Sequence, residues 1–102
     1  MILMTVENID KPYEVLGLVR GSMIQSKHIG KDMMAGFKTI VGGELKGYTE
    51  MMEESREMAL KRMVDQAVML GADAVIAMRF TSSSVMQGAA EVTAYGTAVK
   101  FK

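Results

Sequence analysis

The sequence predicts an α+β subunit, a β-α-β-β chain that lays one long helix on one face of a three-stranded antiparallel sheet, with a short extra strand at the N-terminus. Three observations carry this. Glu44 to Leu70 is a run of about 27 residues, roughly 40 Å long if wholly helical, closed by Gly71 where a C-cap glycine belongs. Tyr13 to Ile24 is β-branched and punctuated by glycine, and Ala90 to Lys100 alternates strictly in side-chain size, so both read as strands. Finally, 102 residues with 49% hydrophobic content and one proline make a single folded domain over 1–102.

Taken in order, Ile2 to Val6 is a short apolar strand, ended by the turn-forming segment Glu7 to Pro12. In the next strand Leu16 and Leu18 point to one side and Val15 and Val19 to the other, so both faces want cover. Met33, Met34, Phe37, Ile40 and Val41 recur at helical spacing and predict a short helix starting near Lys31 or Asp32, ended by Gly42-Gly43. On the long helix, Leu45, Tyr48, Met52, Ala59, Met63, Ala67 and Leu70 form the sheet-facing stripe. Glu50, Glu53, Glu54, Glu57 and Lys61 form the wet one, and Met51, Met58 and Met69 a second contact stripe.

Ala74 to Thr81 follows as a strand with Ile76, Met78 and Phe80 on one face, and Ser82 to Gly88 as a loop. The last strand sorts Ala90, Val92, Ala94, Gly96 and Ala98 onto one face. Such small side chains admit a helix closely, so the long helix lies there. The other sheet face then shows Val15, Val19, Tyr95 and Val99 beside Arg79 and Glu91, a composition that calls for another subunit as its cover.

Composition removes several function classes. Without cysteine there is no disulfide framework, thiolate zinc site or thiol nucleophile. Twelve Lys and Arg balance twelve Asp and Glu, which argues against nucleic acid as a partner. No run approaches the roughly 20 apolar residues of a membrane span, and Met1 to Glu7 has no basic n-region, so no membrane partner and a cytoplasmic location are expected.

Candidate site residues are few. Twelve methionines supply soft thioethers suited to Cu(I), but Met33/Met34 and Met51/Met52 are adjacent pairs that diverge on a helix, and packing is the commoner use of methionine. His28, the single histidine, cannot chelate alone; with Glu91 it is a metal ligand only if symmetry gathers copies around an axis. Arg56 falls near the middle of the apolar stripe and must be paired or snorkel; Glu91 and Glu44 are its candidate partners, and a ligand carboxylate or phosphate is the functional reading. Gly42-Gly43 offers N–H groups to an anion but lacks the lysine and serine of a phosphate loop, so an ordinary turn is the simpler reading. Tyr95, with Thr93 and Thr97 on its strand face, suits a flat ligand or a packed interface. No nucleophile–base pair or pair of catalytic carboxylates stands out, so no catalytic residue is assigned.

Several segments together resemble the YbjQ-like family of small bacterial and archaeal proteins. They are Met34-Ala35-Gly36-Phe37-Lys38-Thr39-Ile40-Val41-Gly42-Gly43, Tyr48, Arg56-Glu57-Met58-Ala59, Gly71-Ala72-Asp73-Ala74-Val75-Ile76 and Tyr95-Gly96-Thr97-Ala98-Val99. The resemblance covers essentially the whole chain. It implies a dodecin-like subunit that closes into a ring of five or a doubled ring, with extra short strands helping assembly, and it brings a heavy-metal-binding label without agreed ligand residues. The expected function is a non-enzymatic homo-oligomer that binds a small ligand or metal ion at subunit junctions, with Arg56, Arg79, Glu91 and Tyr95 as ligand or interface residues. A purely structural scaffold that binds another protein is the alternative, and an enzyme site assembled across subunits from the same four residues is the minor one.

Overall fold

The computed structural model of the chain describes residues 1–26, 40–41, 44–86 and 88–102, with 40–41 and 44–46 through their backbone alone. Its elements run β1 (Ile2–Leu3), β2 (Tyr13–Ser26), β3 (Ile40–Val41), β4 (Glu44–Leu45), α1 (Lys46–Met69), β5 (Ala74–Met86) and β6 (Ala89–Phe101). The four strands β1-β5-β6-β2 form one mixed sheet, with β1 parallel to β5 and the other pairs antiparallel. β3 and β4 pair separately, Ile40 opposite Leu45 and Val41 opposite Glu44. The expected short helix and His28 lie outside the described residues, except that Ile40 and Val41 are strand. Glu44 and Leu45 are likewise strand, so the long helix begins at Lys46 rather than Glu44.

The three long strands exceed their sequence signals, whereas β1 is only Ile2–Leu3 and not the expected Ile2 to Val6. β5 runs through the serine triplet to Met86 and turns at once into β6, so the expected Ser82–Gly88 loop is mostly hairpin. Serine has weak strand propensity, and here it is the cross-strand pairing with Val92, Glu91 and Ala90 that holds Ser82 to Ser84 extended.

The small face of β6 does receive α1: Ala94 and Ala98 are fully buried in one core with Val19, Val75, Met78 and Val92 of the sheet and Ala59, Met63 and Ala67 of the helix. The approach is close. A Cβ on Gly21 would strike the Ala59 carbonyl oxygen and the Met63 backbone nitrogen. The helix ends as its glycine predicts. Gly71 adopts φ +78°, its N–H donates to Val68 O (3.0 Å) and that of Ala72 to Ala67 O (3.1 Å), the two bonds of a Schellman cap.

The buried helical residues are Met51, Ser55, Ala59, Met63 and Ala67, one every fourth position. Met51 therefore belongs to the core rather than to a second stripe. Met58 and Met69 are exposed, as are Tyr48 and Leu70 of the expected stripe. The Ser55 hydroxyl, buried in this ladder, lies 2.8 Å from Met51 O and 2.6 Å from the Gln25 side-chain oxygen, which ties helix to β2.

Two bulges redraw the sheet faces. In β2 the register shifts between Val15 and Gly17, so Val15 faces away from the helix while Val19 is buried beneath it. In β5 the shift between Ile76 and Arg79 is made at Ala77, which takes φ +52°, and it sends Ile76 to the outer face while Met78 joins the core. Both partitions expected from strict alternation are corrected by these single extra residues. The outer face is covered at one end by its own chain: Met4, Ile9, Tyr13 and Phe101 pack on Ala74, Ile76 and Val99. Val99 thus needs no other subunit.

Candidate functional site

Side chains one position beyond the buried ladder, Met52, Arg56, Leu60 and Val64, form a second, half-buried ladder about 100° around α1. Because α1 lies mainly over β2 and β6, the inner face of β5 beyond Met78 is left open beside this ladder. There Met52, Arg56, Phe80, Thr81, Ser82 and Val92 line a shallow groove of about 100 Å³. Phe80 is 45% exposed, a large aromatic surface left in water next to a guanidinium.

Arg56 stands where the sequence placed it, among apolar neighbours, but without the expected acid. Among the described residues no carboxylate forms an ion pair with it. Glu91 is on the outer face, opposite Ile24 and Ser83, with the sheet between the two, and the Glu44 side chain lies outside the description. The pairing with Glu91 is therefore corrected: among the described residues Arg56 is a half-buried cation whose stem packs and whose guanidinium has no ion-pair partner.

Arg79, Glu91 and Tyr95 share the outer face. Tyr95 of β6 is directly opposite Arg79 of β5 on one side and Arg20 of β2 on the other, so a single row reads Arg79–Tyr95–Arg20. The next row is Thr81–Thr93–Ser22, with the Ser22 and Thr93 hydroxyls 2.9 Å apart. Arg79 donates to Thr5 O (2.7 Å) and Met78 O (2.8 Å), clamping the N-terminal segment to the bulge. Within one chain Arg56 is thus separated from the other three candidates by the sheet, and no single site contains all four. Sequence reading missed Arg20, because its role appears only when β2 is placed beside β6, and Phe80, whose exposure depends on where the helix stops covering the sheet.

The described residues do not fit a metal ion: no three His, Asp or Glu side chains come together among them. The thioethers of Met23, Met52, Met63 and Met78 meet in the apolar core, where they pack among valine and alanine side chains. Met51 and Met63 are buried under α1, whereas Met69 and Met86 are solvent-exposed at residues far apart in the fold.

These features define a class, a two-layer α+β domain with one helix on a mixed sheet and two open polar–apolar surfaces. The chain belongs to the YbjQ family, whose family model, described as "Putative heavy-metal-binding", matches residues 1–102. A UPF0145 protein of Thermosipho africanus is 60% identical over 104 residues, covering 100% of this chain and 96% of the relative. One from Fervidobacterium nodosum is 65% identical over 89 residues, covering 87% and 82%. A crystal structure of a protein of unknown function from the DUF74 family of Pediococcus pentosaceus aligns with TM-score 0.73 over 100% of this chain and 98% of that one; at 15% identity the likeness shows the fold alone. Among the described residues no helix is long and apolar enough to cross a membrane.

Proposed function

We propose that this chain is a non-enzymatic subunit of a homo-oligomeric ring, of five or a doubled five, that binds a small anionic ligand at the junction between subunits. The observation that supports it is Arg56: a half-buried guanidinium without an ion-pair partner among the described residues, set beside the exposed ring of Phe80 and the Ser82 side chain. A guanidinium, a hydroxyl and an aromatic face together suit a carboxylate on a flat or apolar body. The groove alone is too small. At about 100 Å³ it falls below the roughly 300 Å³ of an ordinary ligand pocket, so a second wall from another subunit is what would complete it. A metal ion would need ligands gathered by symmetry from several copies, with His28 and Glu91 as the residues to multiply.

A native mass spectrum of the protein purified without added metal tests this. The expected result is a single oligomer carrying mass beyond whole multiples of 11.2 kDa, lost in Arg56→Ala while the oligomer persists. Bare multiples of the polypeptide in both proteins would favour the scaffold instead.

A further inference from the structure

We propose that the outer face of the sheet seats the acidic face of α1 from a second copy of this chain, with Arg20, Tyr95 and Arg79 receiving Glu50, Glu53 and Glu57. The inference rests on the ring reading above and names the contact that builds the ring.

The outer face has the make-up of an interface. Its middle is the Arg79–Tyr95–Arg20 row, and it is flanked by Leu18 at 68% exposure, with Val15 and Ile24 also exposed. Tyrosine and arginine amid exposed aliphatic groups are the residue types that dominate binding surfaces. The N-terminal segment covers the end of this face at Ala74, Ile76 and Val99 and leaves the arginine row open. Arg20 uses only its backbone N–H, bonded to the Gln66 side-chain oxygen at 2.8 Å. Arg79 spends one nitrogen on carbonyls and keeps further N–H donors.

The wet face of α1 is its complement. Glu50, Glu53 and Glu57 are exposed, and among the described residues none of them is in an ion pair; Lys61 is already engaged with Asp65 at 2.9 Å. Spacing agrees with charge. Glu50 and Glu57 are two helical turns apart on one side of α1, about 10 Å along its axis. Arg79 and Arg20 are separated by two strand spacings, also about 10 Å. A helix crossing the strands therefore sets one glutamate over each arginine and brings Glu53 near the Tyr95 hydroxyl. Since the two surfaces differ, the contact is head-to-tail, the kind that closes into a ring when its rotation permits.

Light scattering on size-separated protein tests the contact. Arg20→Glu and the double variant Glu50→Arg/Glu57→Arg are each expected to lower the assembled mass towards 11.2 kDa at micromolar concentration, and Arg20→Glu combined with one of Glu50→Arg or Glu57→Arg, whichever glutamate faces it, to restore it. Raised salt should dissociate the wild type in the same direction. The altered groups are exposed, and circular dichroism checks that each variant folds; should Arg20→Glu not fold, the helix variant carries the test alone. Unchanged oligomers in both reversals, or no recovery in either paired reversal, overturn this contact and leave the ring reading standing. A wild type that is already monomeric removes the ring reading itself.

Discussion

Ala77 holds a left-handed backbone conformation that costs a residue with a Cβ about 1–2 kcal/mol, and the surroundings keep it there. Its N–H donates to Val6 O at 2.7 Å, and the next N–H, of Met78, to Met4 O at 3.0 Å, so the bulge is the anchor of the N-terminal segment. Ala77→Gly is accordingly expected to leave stability unchanged or raise it by up to about 1 kcal/mol, whereas Ala77→Val should cost about 2 kcal/mol or more. Urea melts of the three proteins check it, and a loss in the glycine variant equal to that in the valine variant would contradict the strain. Arg56 is the other residue whose meaning changed. A fully buried pair would make its removal cost 3 kcal/mol or more. As a half-buried cation without an acid among the described residues, it should cost only about 1 kcal/mol of stem packing when replaced by alanine.

The helix shows at the scale of an element how a stripe is chosen. Helical angle alone groups Met52, Tyr48 and Leu70 with Ala59, Met63 and Ala67, but the buried ladder advances by four residues a step and drifts about 40° each time around the axis. That drift brings in Met51 at one end and releases Leu70 and Met69 at the other. Met63→Ala, at zero exposure, is expected to cost about 2–5 kcal/mol, and Met69→Ala, 87% exposed, close to nothing. Thermal melts of the two variants decide whether the ladder is correctly phased; equal losses would mean that it is not.

For the whole molecule, the open groove beside Phe80 and the outer sheet face both leave apolar area in water that a 102-residue domain can ill spare. Assembly of copies is the proposed remedy, and it makes stability depend on concentration. The melting temperature should rise as protein concentration increases a hundredfold, because association stabilises only the folded chain. A melting temperature independent of concentration over that range, in protein that remains monomeric, would count against the ring.

The sequence by itself determined the three long strands and the long helix, the Gly71 stop, and the pairing of α1 with the small face of β6, but not the strand character of Ile40–Val41, Glu44–Leu45 or Ser82 to Met86. These follow from period, glycine conformation and side-chain size, all local properties of the chain. It also marked Arg56 as a charge in an apolar ladder, since helical spacing alone puts it there. Only the tertiary structure decided where alternation breaks, because a bulge of one residue in β2 or β5 reverses every later side chain while leaving no reliable mark in composition. That reversal put Val19 under the helix, Ile76 on the outer face, and Arg20 in line with Tyr95 and Arg79. Glu91 stands across the sheet from Arg56 by plain alternation along β6, so among the described residues the charge that the sequence singled out has no acid beside it.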